Sequence, residues 1–261
     1  MENTELKVEE TRALSFSESL RNALVKNTEA LPTDFNKARF VQNALAFMNS
    51  NDDLQKWVGS HQNGVAQAQE CLLKGAYLGL DFFNKECYAI PYGNKLTFMV
   101  DYRGAEKLCR KYSTRPIKDI YAKIVREGDL FEEKITNGKQ TINFRPLAFN
   151  NGKVVGAFAV CMFRDGGMQL DTMSLEELET TRSASKASNS PAWKKFTTEM
   201  YKKTVLHRLC KHIGLDFDNP SQSQAFYEDS EIETSQKEIA KSDIENSVAT
   251  EVFDVDGVEI G

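Results

Sequence analysis

The chain has 261 residues, and its 33 Lys and Arg against 38 Asp and Glu give a formal net charge of −5 at pH 7. The charges are unevenly distributed: residues 31–215 carry 27 basic and 19 acidic side chains, whereas residues 216–261 carry 2 basic and 13 acidic ones. This contrast predicts a polyanion such as nucleic acid as the partner of the basic body. The longest apolar run has ten residues and the N-terminus has no apolar signal segment, which excludes a bilayer-spanning helix and predicts no secretory signal.

Three segments are predicted from these shifts in composition. Residues 1–30 form an N-terminal segment, partly mobile, with a candidate short helix over 17–30. Residues 31–215 form a basic core that is long enough to fold alone. Residues 216–261 form an acidic, poorly ordered tail, in which the apolar residues of 252–260 are a candidate docking element for a partner.

The spacing of apolar residues predicts the elements of the core in chain order. The first half contains two helices, a hairpin and a third helix: 32–49, 64–78, 88–100 and 102–112. The second half contains five strands, over 117–126, 130–136, 140–145, 154–164 and 168–173. Two helices follow, over 174–182 and 191–213, each opened by a capping serine. Short turns favour antiparallel pairing, so the predicted class is α+β, an antiparallel β-sheet meander flanked by N-terminal and C-terminal helices.

The most distinctive local pattern is one face of the helix 102–112. At about 100° per residue, four cations share the face opposite the apolar one: Arg103, Lys107, Arg110 and Lys111. Only Glu106 dilutes this face, from one side. Like charges repel, so the stripe gains stability when an anion lies along it; a solvated helix face is an equally weighted alternative. Arg115 and Lys118 extend the cluster into the next strand.

A second cluster surrounds the polar loop 183–190 and the helix after it. Its candidate ligands for DNA are Arg182, Ser185, Lys186, Trp193, Lys194, Lys195, Lys202 and Lys203. Hydroxyls, cations and backbone N–H groups at a helix N-terminus suit a phosphate, although an ordinary polar loop explains this cluster better when it is taken alone. Lys195 and Lys202 are seven residues apart and share a helix face. Trp193 and Tyr102 are the candidates for stacking on a base, while a core position is the commoner role for a tryptophan.

Several kinds of site are absent from the sequence. No phosphate-binding G-x-x-x-x-G-K-[ST] motif is present, which argues against an ATP-driven motor, and no helix-turn-helix or zinc-finger pattern appears. The cysteines are interpreted as buried thiols and not as zinc ligands or disulfides. Asp129, Glu132 and Glu133 allow the hypothesis of a metal-dependent nuclease, but a solvated strand edge is the preferred interpretation. The sequence thus predicts a binding protein that is no enzyme and has no metal site or cofactor.

Short stretches along the core match a known family in the same order. They are Leu31-Pro32, 76–80 (AYLGL), 89–95 (AIPYGNK), 101–104 (DYRG), 125–129 (VREGD), 164–167 (RDGG), 182–187 (RSASKA), Trp193 and 200–204 (MYKKT). The chain resembles the RecT family of phage and prophage single-strand DNA annealing proteins. Each stretch is weak alone, but their shared order over residues 31–213 is specific, and the matching stretches add Lys95 and Arg126 to the candidate DNA contacts.

The resemblance implies annealing of complementary DNA strands without ATP on a Rad52-type fold. It also implies assembly into rings or helical filaments that hold the single strands and the annealed duplex intermediate in a continuous basic groove, in the cytoplasm of a bacterial host. A phage exonuclease and the host single-strand binding protein are the implied partners of the C-terminal region. An annealing protein has to leave base edges free, which fits phosphate contacts without base readout. A module that coats single strands without pairing them remains the alternative.

Overall fold

A computed structural model of the chain describes residues 16–185 and 188–228. The chain divides into two compact units. Among the described residues, unit 1 contains 16–121, 160–169 and 206–228, and unit 2 contains 122–159, 170–185 and 188–205. The N-terminal residues 1–15 and the candidate docking element 252–260 lie outside the described residues. No helix in the described ranges has both the length and the apolar character needed to cross a bilayer.

Unit 1 begins with a series of helices. They are α1 (16–26), a 3-10 turn (Thr28–Ala30), α2 (Lys37–Asn49), α3 (Asp52–Ser60) and α4 (Gly64–Leu78). Helix α4 has its predicted bounds and ends at Gly79, whose φ of 65° lies in the left-handed region that glycine adopts without strain.

Two helices in unit 1 differ from the prediction, and each begins after an asparagine that caps it. Helix α2 begins after Asn36, whose side chain accepts a hydrogen bond from the Arg39 N–H, and not at the proline four residues earlier. Helix α3 was not predicted. Asn51 caps it by accepting from the Leu54 N–H, and only Leu54 and Trp57 bury its inner face.

The hairpin and the basic helix of unit 1 have the predicted positions. Strands β1 (Cys87–Tyr92) and β2 (Lys95–Val100) pair antiparallel around Gly93 and Asn94. Helix α5 (Tyr102–Tyr112) follows directly, because the Asp101 side chain accepts from the Arg103 N–H and caps its first turn. Its apolar face is buried, which leaves its basic face outward.

The remaining strands are β3 (Ile117–Arg126), β4 (Leu130–Thr136), β5 (Lys139–Arg145), β6 (Val154–Phe163) and β7 (Met168–Ser174). Strands β4 and β5 pair as a separate hairpin, while β6 lies between β3 and β7. Arg164 N, just after β6, donates to Pro116 O, just before β3, and Glu127 N, just after β3, donates to Lys153 O, just before β6. The end of each strand thus lies beside the start of the other, so this pair is antiparallel. The predicted α+β class is confirmed. The strands form three sheets and not one continuous meander, because the β4–β5 hairpin is inserted between two paired strands.

The C-terminal helices differ from the prediction at one point. Helix α6 (Leu175–Ser183) has the predicted capping box between Ser174 and Glu177. The single helix expected over 191–213 is divided into α7 (Pro191–Lys195) and α8 (Thr197–His212). The Thr197 hydroxyl donates to the Trp193 carbonyl at 2.6 Å, which supplies this carbonyl with a side-chain partner at the break. Lys195 and Lys202 therefore lie on different helices and do not share one face.

The packed structure continues past residue 215, where the sequence places the start of the tail. Residues 220–228 form helix α9, in which Gln222, Ala225 and Phe226 are buried in unit 1. Its last residue, Glu228, lies 2.7 Å from the Lys74 ammonium of α4. Residues 216–228 thus belong to the folded part of the chain, and residues 229–261 lie outside the described residues.

All five cysteines are buried and free, as predicted, and all lie in unit 1. They are Cys71, Cys87, Cys109, Cys161 and Cys210. Burial raises the pKa of Cys71 to about 12 and that of Cys161 to about 11, so both thiols stay protonated at neutral pH.

Candidate nucleic-acid interface

The basic face of α5 lies on an open depression of unit 1. Its lining consists of Arg103, Glu106, Lys107, Arg110 and Lys111. The Arg103 Nε donates to the Tyr102 hydroxyl at 3.1 Å, and its guanidinium lies 5.7 Å from the centre of the Tyr102 ring. Within the described part of the chain, Arg103 has no carboxylate in an ion pair. Arg103 is therefore the cation of this face that is most open to an added anion.

The other three cations of this face have carboxylate partners. The Lys107 ammonium lies 2.7 Å from Glu86 and 2.8 Å from the carbonyl of Gly79. Arg110 binds Glu106 at 2.8 Å, so this acid does not merely flank the stripe.

Two more carboxylates approach the face from distant positions. Asp119 lies 3.6 Å from Arg110, and Asp34 lies 3.7 Å from the Lys111 ammonium. The stripe of unpaired cations predicted from the sequence is thus largely paired in the structure. Lys107, Arg110 and Lys111 remain 41–45% exposed, and such exposed pairs contribute only about 0–1 kcal/mol. A phosphate can therefore replace these carboxylates at little cost.

Arg115 is held in place by a bidentate ion pair. Its Nε and one terminal nitrogen lie 2.9 Å and 2.8 Å from the two carboxylate oxygens of Asp165, and its guanidinium stacks 4.0 Å above the Phe163 ring. The backbone N–H of Gly167, together with Arg115, lowers the pKa of Asp165. Lys118 and Lys95, by contrast, are exposed, and no described residue forms an ion pair with either.

The second cluster lies in unit 2, where Arg182 is partly buried among neighbouring side chains. Its side chain is 25% exposed and lies 3.4 Å from Glu179. Its guanidinium lies 5.5 Å from the centre of the Trp193 ring, and Tyr201 also donates to Glu179. Burial, followed by the contact with Glu179, raises the pKa of Tyr201 to about 12.

The aromatic side chains of this cluster are placed differently from the prediction. Trp193 is only 4% exposed and packs edge-on against Tyr201, so its ring offers no face to a base. Phe196 is 61% exposed at the break between α7 and α8. It directly follows Lys194 and Lys195, which are exposed and have no ion-pair partner among the described residues. The sequence shows this aromatic residue beside paired lysines, a pattern used in single-strand binding, but a core position is the commoner role and was preferred for Phe196 as for Trp193.

The other predicted members of this cluster are less available. Ser185 is half-buried and its carbonyl accepts from the Ser188 N–H at 2.9 Å. Lys202 lies 2.5 Å from Glu199 and Lys203 is half-buried, while Lys186 lies outside the described residues. Lys194, Lys195 and Phe196 are thus the open part of the cluster.

Asp129, one of the carboxylates considered for a nuclease, serves the fold instead. Asp129 accepts hydrogen bonds from the backbone of Arg126 and Leu147 and from the side chain of Asn150. Desolvation raises the pKa of Asp129, but these bonds outweigh it and lower the pKa. Arg126 donates to the Gly152 carbonyl at 2.7 Å, which makes it a structural side chain as well. Across the described ranges, no three His, Cys, Asp or Glu side chains are arranged to hold a metal ion.

Comparison with known proteins adds a family. The model of the RecT family matches residues 38–244. The chain is also similar to Protein RecT of Escherichia coli strain K12, with 32% identity over 139 residues. This match covers 50% of the chain and 51% of that protein, so the chain spans about half the length of the curated relative it matches.

Proposed function

The chain belongs to the RecT family, and on this basis we propose that it anneals complementary DNA strands without ATP. Its ligands are single-stranded DNA and the annealed duplex intermediate. It acts by binding and involves no covalent chemistry. Its place of action is the cytoplasm of a bacterial host, during recombination and repair of DNA.

One structural observation supports this proposal independently of the family. Each unit exposes cations that have no described carboxylate partner beside an accessible aromatic ring: Arg103 next to Tyr102 in unit 1, and Lys194 and Lys195 next to Phe196 in unit 2. Cations that bind the backbone, together with rings on which bases stack, are the usual means of binding single strands without regard to sequence.

The contacts available on α5 favour phosphates over bases. Lys107, Arg110 and Lys111 are themselves exposed, and a phosphate can replace the carboxylates that pair with them. Contacts to the backbone leave the base edges free to test a complementary strand. Binding of this kind releases counterions, so the affinity falls steeply as the salt concentration rises.

The cations of the two candidate clusters can hold only a short stretch of a strand, and a long strand therefore needs several chains in a row. The proposal includes self-assembly into a ring or a helical filament. It also includes docking of a phage exonuclease and of the host single-strand binding protein on the C-terminal region.

The test measures annealing of two labelled complementary oligonucleotides without ATP, in the presence of EDTA and across a salt series. We expect the protein to accelerate annealing, and the acceleration to fade as salt increases. The double variant K194A/K195A loses most of it, whereas K26A/K56A, which removes the same charge from exposed positions elsewhere, retains it.

Two results would contradict the proposal. Binding without acceleration identifies a coating module, the alternative that shares the same charge features. An equal loss in both double variants shows that net charge matters and that the site near Phe196 does not.

A further inference from the structure

The loop between β5 and β6 presents an apolar tip to solvent. Phe149 is 98% exposed and Leu147 is 56% exposed. The φ of Phe149 is 53°, in the left-handed region that a bulky side chain rarely adopts. Residues 146–152 contain no charged side chain. A large exposed ring on a strained backbone is a feature that the annealing chemistry described above does not use.

The loop is held rigidly in this shape. One carboxylate oxygen of Asp129 accepts from Leu147 N at 3.0 Å and from the Asn150 side chain at 2.7 Å. The Asn150 side-chain oxygen accepts from Gly152 N at 2.7 Å, and Arg126 donates to the Gly152 carbonyl. These bonds hold the loop on both sides of Phe149, so the backbone that presents the ring is fixed and less loop freedom is lost when a partner binds.

Unit 1 contains a cavity of about 320 Å³ beside α5. Its apolar lining consists of Pro32, Phe35, Phe40, Leu78, Leu80 and Leu108. Such a lining suits an aromatic side chain, and the cavity has room for one. The apolar residues distinguish it from the open depression on α5, although Lys107 and Lys111 line both.

We propose that Phe149 of one copy of this chain inserts into this cavity on unit 1 of a second copy. The charges around the cavity support a neutral occupant. Three carboxylates and three cations line it, so they balance: Asp34, Asp81, Glu86, Arg39, Lys107 and Lys111. Because these charges cancel over the cavity as a whole, the uncharged tip 146–152 meets no net charge there. A wedge into DNA is the competing role for the tip, because the exposed Arg145 and Lys153 flank it; that role predicts that F149S loses affinity for DNA, which the first experiment measures.

The contact joins two different surfaces and is therefore heterologous. Interfaces of this type generate rings when the rotation closes and helical filaments when it does not. Because Lys107 and Lys111 border the cavity, each interface adjoins the basic face of α5. This inference rests on the self-assembly included in the proposed function and assigns residues to it.

The first experiment separates assembly from DNA binding. Sedimentation or mass photometry without DNA follows the oligomers of the wild type, F149S and the matched control F196S. We expect F149S to need at least tenfold more protein to assemble, with an unchanged circular dichroism spectrum and unchanged affinity for a short oligonucleotide that one chain covers. F196S assembles normally and loses DNA affinity.

The outcomes separate the two proposals. If F149S assembles as the wild type does, or if the wild type stays monomeric, the interface is wrong even when annealing is intact. If F149S assembles poorly and no protein anneals DNA, the interface holds and the proposed function fails.

A cross-linking experiment identifies the partner surface. The natural cysteines are all buried, so introduced thiols react without background. Two single variants, F149C and R39C, are mixed and treated with diamide, which oxidises a pair of thiols to a disulfide. A disulfide only in the mixture confirms the contact between tip and cavity. Dimers in F149C alone indicate tip-to-tip contact and overturn the proposal, as does the absence of any cross-link in the mixture.

Discussion

The side-chain amide of Gln140 pairs with both backbone groups of Leu170. Its oxygen accepts from Leu170 N at 3.0 Å and its nitrogen donates to Leu170 O at 3.3 Å. A residue of the β4–β5 hairpin thereby takes the role of a neighbouring strand at this point of β7. The same amide nitrogen also reaches Glu133 at 2.9 Å, which fixes its orientation.

Replacing Gln140 tests this role. We expect Q140A to lower the free energy of unfolding by about 1–2 kcal/mol, because two backbone groups lose their partner. Hydrogen exchange should accelerate at the Leu170 amide. The matched control T141A removes a neighbouring side chain that faces solvent and should change the stability little; equal effects in both variants would contradict this role.

Asp165 predicts a pH dependence of stability. Its folded-state pKa lies below the ordinary value of 3.8, owing to the Gly167 N–H and then Arg115. A lowered pKa stabilises the fold above the unfolded-state pKa, and this contribution is lost as the pH falls through the folded-state value. The melting temperature of D165N should therefore lie below that of the wild type at pH 7. The two should converge below about pH 4, and a constant difference down to pH 3 would argue against this assignment.

Asp34 is the most exposed partner of the α5 cations, at 90%. We expect D34N to increase affinity for single-stranded DNA about twofold at low salt, because Lys111 no longer has a competing carboxylate. Fluorescence anisotropy with a labelled oligonucleotide measures the change. E18Q removes an exposed acid elsewhere on unit 1 and should leave the affinity almost unchanged. Equal gains would assign the effect to net charge alone.

Phe196 is expected to stack on a base. F196A should weaken binding of single strands by about 1–3 kcal/mol, while F196W should restore most of the affinity. Quenching of a 2-aminopurine oligonucleotide by the wild type, and its loss in F196A, would show stacking directly. Normal quenching in F196A would place the base elsewhere.

Helix α9 sets where the chain can be shortened. A chain ending at residue 228 should keep the melting temperature of the full protein. A chain ending at residue 215 lacks Phe226, which is 6% exposed, and the Lys74–Glu228 ion pair, so its melting temperature should be lower. The single variant F226A should cost about 3–5 kcal/mol. Calorimetry of the two truncated proteins and of F226A checks this order, and equal melting temperatures of the two truncated proteins would contradict it.

Local patterns predicted much of the fold because they act over a few residues. The bounds of α5 follow from a sharp apolar face and the Asp101 cap, and those of α4 from Gly79. Helix α3 escaped prediction because only Leu54 and Trp57 mark its buried side. At the break at Phe196, the Thr197 hydroxyl donates to the Trp193 carbonyl, and the spacing of apolar residues does not predict such a bond.

The candidate site was less predictable because its electrostatics are non-local. The pattern of α5 identified the cations, but two of their partners, Asp34 and Glu86, come from far along the chain. Exposure likewise depends on tertiary packing, which buries Trp193 and leaves Phe196 in solvent although the two aromatic residues are only three positions apart.

The distribution of cysteine and tryptophan gives each unit its own reporter of opening. Every cysteine is buried in unit 1, so the rate at which a reagent alkylates these thiols measures how often the structure opens around them. Of the two tryptophans, Trp57 belongs to unit 1 and Trp193 to unit 2. In a W57F protein the remaining indole reports unit 2 alone, and comparing its signal with thiol alkylation shows whether DNA binding stiffens both units or one.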